Sequence, residues 1–257
     1  MKLSTKYDMI YEPLIERIIA EESEKKDPIK SAKTRMHQLY GAYLHGNSHK
    51  KATVLLEEMN TAEILSLHAS TRERLLCINE LYHFIAEYTG AVKSILDLGC
   101  GFNPFAVSLM PDSLVKNLEV YHTYDIDLRT RDLLNCFFEM KGLPAAAKCA
   151  DLAAETPGEL VDLAFMLKLI PVLEAQCAGR GFKLANALNT RFLVISYPVK
   201  SLGGREKGME KNYAASFKKA EDAGLLNNFT LVASERIGSE LIYVLKDRNK
   251  NCTPMQY

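Results

Sequence analysis

Residues 95–104 have the sequence ILDLGCGFNP, and this stretch decides the fold that we predict. It joins an apolar strand to a turn that carries Gly99 and Gly101, and glycine lets a backbone come close to a bound molecule. About one strand–helix unit later, the stretch 124–127 (YDID) places Asp125 at the end of another apolar run. A carboxylate there can accept hydrogen bonds from both hydroxyls of a ribose. Together the two motifs predict a nucleoside-binding site.

The residues after the glycine turn indicate which nucleoside ligand to expect. Dinucleotide-binding folds carry a third glycine that lets a helix approach a pyrophosphate. Here Phe102, Asn103 and Pro104 follow Gly101 instead. The turn therefore resembles that of S-adenosylmethionine (SAM)-dependent methyltransferases with a Rossmann-like fold, whose ligand carries no phosphate. An ordinary strand–helix turn that ends in an aspartate is the alternative.

Composition limits the classes of protein that are possible. The 257-residue chain has 32 basic and 32 acidic residues, which argues against a uniformly basic nucleic-acid binder. No run approaches the roughly 20 apolar residues that cross a bilayer, and the N-terminus lacks the apolar core of a signal peptide. We therefore expect a cytoplasmic protein without membrane association. The six cysteines are scattered and have no histidine at zinc-ligand spacing, so we expect neither a metal site nor disulfides.

Basic residues are concentrated between positions 25 and 51. Within this stretch the only acidic residue is Asp27. A local basic face can bind phosphates although the whole chain is neutral, whereas a solvated helix face is the alternative. The basic residues of this stretch are Lys25, Lys26, Lys30, Lys33, Arg35, Lys50 and Lys51.

The spacing of apolar residues changes near residue 88. Up to that point it is helical, and after Gly90 short apolar runs alternate with amphipathic stretches, which is typical of a parallel sheet with crossover helices. We predict an α/β fold, a seven-stranded Rossmann-like class I SAM-dependent methyltransferase, with an N-terminal helical domain (1–88) and a SAM-binding methyltransferase domain (89–257). The strands are predicted at 94–98, 120–124, 146–150, 163–167 and 192–196, followed by a hairpin of 229–233 and 240–245 around Gly238.

Two weaker signals complete the predicted nucleoside site. Asp151 and Leu152 follow the third strand, where an acidic side chain commonly meets an adenine amine, although a helix N-cap explains the aspartate equally well. The segment 68–74 (HASTRER) can present hydroxyls, backbone N–H groups and the guanidinium of Arg74 to a carboxylate, or simply cap a helix.

A long loop leaves the fifth strand after Tyr197. It contains glycines and the basic residues Lys200, Arg205 and Lys207. Loops at this edge of a doubly wound sheet bind ligands, and basic loops suit phosphate backbones. A solvated connector is the alternative.

Six segments in order along the chain resemble the aminoglycoside-resistance 16S rRNA (guanine(1405)-N7)-methyltransferases, which modify a decoding-site guanosine. Tyr40, Arg72 and Ile170 depart from residues frequent in that family, namely Trp, Asn and Leu. The six segments are 36–43 (MHQLYGAY), 68–74 (HASTRER), 99–104 (GCGFNP), 124–127 (YDID), 167–171 (LKLIP) and 196–210 (SYPVKSLGGREKGME).

The resemblance implies a cofactor, a partner and residues for each. SAM is the implied cofactor, and 16S rRNA within the assembled 30S subunit is the implied partner of a monomeric enzyme. The implied SAM-binding residues are His68, Thr71, Arg74, Gly99, Gly101, Asn103, Asp125, Ile126, Asp151 and Leu152. The implied rRNA-binding residues are Lys33, Arg35, Lys50 and Lys51 in the helical domain, and Lys200, Arg205, Lys207 and Met209 near the target base.

The chemistry implied by the resemblance needs no catalytic acid or base. Guanine N7 carries an in-plane lone pair, so positioning and electrostatics suffice, and we assign no catalytic residue. The target base must leave its stack and needs an apolar surface, for which Phe102, Phe105 and Tyr197 are candidates. Methylation of another 16S nucleotide such as an adenine N1, a non-catalytic RNA-binding role on the SAM fold, and methylation of a small molecule remain alternatives.

Overall fold

The computed structural model describes residues 7–40, 47–200 and 208–249. Within these ranges six α-helices precede the first strand, and helices then separate most successive strands up to the sixth, whereas a turn and no helix joins the third strand to the fourth. The helices are α1 (Glu12–Glu21), α2 (Pro28–Tyr40), α3 (Ser48–Glu57), α4 (Thr61–Ser66), α5 (Ala69–Arg74), α6 (Ile78–Thr89), α7 (Asp112–Val115), α8 (Leu128–Lys141), α9 (Leu169–Gln176), α10 (Arg180–Ala187) and α11 (Met209–Asp222). The strands are β1 (Ser94–Leu98), β2 (Val120–Asp125), β3 (Ala145–Cys149), β4 (Leu160–Leu167), β5 (Asn189–Pro198), β6 (Phe229–Ile237) and β7 (Glu240–Asp247).

The seven strands form one sheet in the order β3-β2-β1-β4-β5-β7-β6. Strand β4 pairs in parallel with β1 and β5, whereas β7 runs antiparallel to both β5 and β6. The order runs outward from β1 to β3 and then resumes on the other side of β1 at β4. This reversal is the topological switch point at which open α/β sheets bind ligands, beyond the carboxyl ends of the strands. The predicted seven-stranded α/β fold is therefore confirmed, including the closing hairpin around Gly238.

Strands β4 and β5 are longer than predicted. β4 begins three residues before the predicted residue 163, and β5 extends beyond both ends of the predicted 192–196. Both consist of almost continuously buried apolar residues, as expected for parallel strands covered on both faces. Polar residues such as Asp162 and Arg191 interrupt that apolar run near the strand starts, which is why the pattern alone placed the starts too late.

The chain divides into two compact units, each assembled from separate stretches. The first contains the residues up to Leu75 together with Gly99–Ser108 and His122–Asp151, and the second contains Leu76–Leu98, Leu109–Tyr121 and the residues from Leu152 onward. These units are discontinuous in sequence, whereas the predicted domains 1–88 and 89–257 meet at one boundary. The predicted division is a statement about function and remains a prediction.

Each unit has an apolar core of its own. In the first, Ile18, Met36 and Phe137 are fully buried, and the ring of Phe105 lies 4.8 Å from that of Phe137. In the second, the interior residues of β1, β4 and β5 are buried. Within the part of the chain that the structure describes, no helix combines the length and the apolar character that a membrane span requires.

Candidate cofactor site

The glycine turn after β1 takes a conformation that only glycine adopts easily. Gly99 and Gly101 have φ angles of 61° and 49°, in the left-handed region. A Cβ atom on Gly101 would lie 2.8 Å from Nε2 of His68, which is closer than van der Waals contact allows. The turn is tied to the end of β2, because the Cys100 N–H donates to the Tyr124 carbonyl over 3.1 Å. The backbone and the His68 ring therefore fix this turn together.

The carboxylate of Asp125 is hydrogen-bonded to the glycine turn. Its Oδ2 accepts a hydrogen bond from the Gly101 N–H (2.8 Å), and its Oδ1 accepts from the N–H groups of Ile126 (2.7 Å) and Asp127 (3.0 Å). Burial raises the pKa of Asp125, while these backbone hydrogen bonds oppose the rise. A carboxylate has about four acceptor positions, so Oδ2 retains capacity for a ribose hydroxyl.

The neighbouring Asp127 caps the N-terminus of helix α8. Its Oδ1 accepts from the Arg129 N–H (2.8 Å) and caps helix α8, and its Oδ2 lies 2.7 Å from Nη2 of Arg129. His49 contacts the same helix start through Thr130 (2.9 Å) and Asp127 (3.7 Å), and burial lowers the pKa of His49. Capping thus accounts for Asp127, and Asp125 is the carboxylate beside the glycine turn.

Arg74 and Asn103 form a buried polar pair. Arg74 Nη1 donates to Asn103 Oδ1 over 2.8 Å, and both residues are 2% exposed. Arg74 ends helix α5, which begins after His68, so one short helix delivers both residues to the glycine turn. The hydroxyl of Thr71 is also buried and donates to the carbonyls of Leu65 and His68. Thr71 therefore shapes the helix start.

Asp151 forms an ion pair that the sequence did not indicate. Its carboxylate binds Arg17 of α1 through two contacts, Nε–Oδ2 at 2.5 Å and Nη2–Oδ1 at 3.1 Å. A turn follows Asp151 rather than a helix, so the N-cap interpretation of this aspartate is wrong. The residue before it, Ala150, donates its N–H to the Asp125 carbonyl over 3.2 Å, which links the ends of β2 and β3.

The structure thus connects most of the predicted cofactor residues inside the first unit. Ile126 is partly exposed beside Asp125. Leu152 is buried and belongs to the second unit, where its carbonyl accepts from Arg180 Nε (2.9 Å). The residues joined by direct contacts are His68, Arg74, Gly101, Asn103, Asp125 and Ile126.

The three aromatic candidates for base contact are all interior residues. Phe102 and Phe105 are 0% exposed and Tyr197 is 1% exposed. The ring of Phe102 lies 5.7 Å from that of His49 and 5.5 Å from that of His68. Tyr197 stacks on Tyr213, and burial raises its pKa. A base can reach these rings only after neighbouring groups move, and their contact with a base remains a prediction.

The predicted rRNA-binding residues differ in their accessibility. Lys33 on α2 and Lys50 and Lys51 on α3 are exposed. Arg35 is partly buried, and its Nη1 lies 2.6 Å from Glu21 Oε2 and 3.1 Å from Glu22 Oε1. After β5, Lys200 is exposed and Met209 begins α11. Arg205 and Lys207 lie outside the described residues.

Sequence reasoning missed a buried polar cluster at the ends of β4 and β5. Lys168 has a φ of 58°, an unusual value for a residue with a side chain. Its N–H donates to the carbonyl and hydroxyl oxygens of Ser196 (3.1 and 3.0 Å), and its Nζ lies 3.3 Å from Glu240 Oε1. Ser196 Oγ donates to Glu240 Oε2 over 2.6 Å. The sequence predicted both strands, but nothing in it marks Glu240 as buried.

The strand order and the glycine turn define the class of the protein. A seven-stranded sheet with an antiparallel final hairpin, a glycine turn after β1 and a carboxylate after β2 is the fold of SAM-dependent methyltransferases. The family model described as ribosomal RNA methyltransferase (FmrO) matches residues 4–244, and the chain belongs to this family. The resemblance seen in the six sequence segments is thereby confirmed.

Individual relatives match over nearly the whole chain. A 16S rRNA (guanine(1405)-N(7))-methyltransferase of Serratia marcescens is 36% identical over 95% of this chain and 94% of its own length. An enzyme of the same name from Micromonospora rosea is 31% identical over 89% and 85%. Among solved structures, the 16S rRNA methyltransferase RmtF in complex with S-adenosyl-L-homocysteine has a TM-score of 0.85 at 34% identity, covering 95% of each chain.

Proposed function

We propose that the protein transfers a methyl group from SAM to N7 of guanosine 1405 in 16S rRNA. The observation that carries this proposal is the set of contacts joining His68, Gly101 and Asp125 in a chain of the FmrO family. The 36% identity to the Serratia marcescens enzyme of that specificity supports the target nucleotide. Methylation at this position would confer resistance to aminoglycosides.

The residues around the glycine turn fit the parts of SAM. Asp125 is braced by three backbone N–H groups and can accept from the ribose hydroxyls. The Arg74 guanidinium is charged and buried, which suits it to the carboxylate of the amino-acid portion. Asp151 can accept a hydrogen bond from the adenine amine.

The chain's contribution to methyl transfer is positioning. SAM supplies a methyl group on a sulfonium, and guanine N7 supplies a lone pair, so no side chain has to remove a proton. The protein must hold the two groups in line and tolerate positive charge on the purine. A rigid glycine turn, fixed by His68 and Asp125, provides one half of that alignment.

Docking on the ribosomal subunit is proposed to be electrostatic. The side chains of Lys33, Lys50 and Lys51 are exposed and suit phosphate groups. Arg35 can contribute after exchanging Glu21 or Glu22 for a phosphate. Since the decoding site is formed by the folded subunit, we propose that the monomeric enzyme acts on assembled 30S particles in the cytoplasm.

A methylation assay tests the proposal directly. Purified protein and labelled SAM are incubated with 30S subunits or with naked 16S rRNA, and the methyl group is located by mass spectrometry of rRNA fragments. Label on N7 of guanosine 1405 in subunits alone supports the proposal. Label on another nucleotide overturns the specificity, and absence of label despite SAM binding overturns the activity. Asp125→Asn serves as the inactive variant and Asp132→Asn, an exposed carboxylate on α8, as its matched control.

A further inference from the structure

We propose that Arg17 is a positioning residue that holds the Asp151 carboxylate in a fixed orientation for the adenine amine of the cofactor. This inference rests on the proposed function, because it assigns Asp151 to the adenine end of SAM. Arg17 lies in α1, more than a hundred residues before Asp151, and none of the six family-like segments includes it.

The geometry of the Arg17–Asp151 pair indicates that Arg17 orients the Asp151 carboxylate as well as neutralising its charge. Arg17 contacts both oxygens of Asp151, with Nε at 2.5 Å from Oδ2 and Nη2 at 3.1 Å from Oδ1. Two parallel contacts fix the plane of a carboxylate as well as its position. The side chains are 19% and 4% exposed, so the pair is largely shielded from water. Once the plane of the carboxylate is fixed, the directions of its remaining acceptor lone pairs are fixed as well.

Arg17 is itself braced on its outer side. Its Nη1 lies 2.8 Å from Glu21 Oε1, one turn later on α1, and Glu21 also contacts Arg35 of α2. Burial alone would lower the pKa of Arg17, but its hydrogen bonds to Asp151 and Glu21 raise it. The guanidinium therefore stays charged and is held between two carboxylates, which limits its freedom to turn away from Asp151.

The orientation of the Asp151 carboxylate matters for adenine. The adenine 6-amino group is a hydrogen-bond donor and needs an acceptor, which a carboxylate oxygen provides. A hydrogen bond weakens steeply when its angle departs from the preferred direction, so a carboxylate whose plane is fixed by Arg17 binds the amine better than one that can rotate. Asp151 also follows directly after Ala150, whose N–H donates to the Asp125 carbonyl, so the proposed adenine and ribose acceptors are linked through the backbone.

The test compares two ligands that differ at the Watson–Crick edge of the purine. S-adenosylhomocysteine carries the 6-amino donor, and S-inosylhomocysteine carries a carbonyl oxygen at position 6 and a proton on N1, so it offers no donor at position 6. Calorimetry on the full chain measures both affinities for wild type, Arg17→Gln, Arg17→Lys and Glu16→Gln, the last an exposed residue on the same helix. We expect Arg17→Gln to weaken S-adenosylhomocysteine binding by about 10- to 100-fold while leaving S-inosylhomocysteine unchanged. Glu16→Gln should match wild type.

Each other outcome has a defined meaning. Equal weakening of both ligands assigns Arg17 a purely structural role and overturns the proposal, as does unchanged binding of both. If Arg17→Gln does not fold, Arg17→Lys decides, because a lysine ammonium keeps the charge but lacks the planar fork that fixes the orientation of a carboxylate. An unaltered preference for the adenine ligand in Arg17→Lys then overturns the proposal. Wild type that binds neither ligand refutes the cofactor site itself, which is a separate failure.

Discussion

Arg74 donates a hydrogen bond from Nη1 to Oδ1 of Asn103 over 2.8 Å, and both side chains are 2% exposed. The bond connects the end of helix α5 to the residue that follows the glycine turn by two positions. Replacing Asn103 by Ala removes an acceptor from a buried charge, which costs about 1.5–3 kcal/mol of unfolding free energy. We expect a matching loss of SAM affinity, because the guanidinium loses its orientation. Urea unfolding and calorimetry check both, with the exposed Asn117→Ala as control.

Gly101→Ala separates steric conflict from backbone strain. Its Cβ would lie 2.8 Å from His68 Nε2, in addition to the strain of a positive φ. Gly142 has a φ of 60° and a ψ of 24°, in the left-handed helical region, and no heavy atom lies within 4 Å of its Cβ position, so Gly142→Ala carries strain alone, about 1–2 kcal/mol. We expect Gly101→Ala to be the more destabilising and to lose SAM binding, with partial recovery when His68 is also replaced by Ala. Equal melting temperatures for the two glycine variants would contradict the steric account.

Protonation of Asp125 at low pH should weaken cofactor binding and stabilise the folded protein. Burial raises the pKa of Asp125 above the ordinary 3.8. As the pH falls through this raised value the carboxylate is protonated, and SAM affinity should decline because an acceptor for the ribose is lost. The folded state takes up the proton more readily than the unfolded chain, so this group favours folding at low pH and that contribution is lost as the pH rises through the folded pKa.

Titrations from about pH 7 to about pH 4 check both directions of the Asp125 effect, using calorimetry for SAM and thermal unfolding for stability. Asp125→Asn should abolish the pH dependence that belongs to this group, and the exposed Asp132→Asn should retain it. An affinity for SAM that is constant over this range in wild type argues against Asp125 as the ribose acceptor.

The Lys168–Glu240 pair should show strong energetic coupling. Both side chains are at least nine-tenths buried and the atoms lie 3.3 Å apart. Breaking a buried pair typically costs about 3–5 kcal/mol, so Lys168→Met should be strongly destabilising, and Lys168→Met with Glu240→Gln should cost much less than the sum of the single changes. Urea unfolding of the four proteins measures the coupling. The exposed Lys218–Asp222 pair, at 2.9 Å, is the control and should show none that can be resolved.

Charge reversal of the exposed lysines should weaken binding to the 30S subunit without changing the binding of SAM. Lys33→Glu, Lys50→Glu and Lys51→Glu together should weaken binding to 30S subunits about tenfold or more. The slope of the logarithm of the binding constant against the logarithm of the salt concentration should become shallower by about one for each phosphate contact that is lost. SAM affinity should not change. Lys116→Glu, exposed on the other compact unit, is the matched control. Undiminished subunit binding would mean that docking uses another surface. Arg35 is left intact because reversing it would place three carboxylates together.

The sequence predicted the parts of this protein that depend on local pattern. The strands followed from short apolar runs, and the left-handed turn at Gly99 and Gly101 followed from the glycines themselves. Contacts between distant side chains did not follow. Arg17 looked like one charged residue on an amphipathic helix, and Glu240 like the first residue of a strand, because burial and partner choice depend on the folded chain. Arg35 looked free to bind phosphate, yet it contacts two glutamates that α1 brings beside it.

The close approach of His68 to Gly101 also limits which substitutions position 101 can tolerate. Glycine is the one residue without a Cβ, so every missense change in codon 101 meets the His68 ring. A smaller residue at position 68 would have to arise first, but His68 packs against Phe102, with ring centres 5.5 Å apart, so that step carries its own loss. We therefore expect a substitution at position 101 to be tolerated only after position 68 has changed, and that first change to lower stability by itself.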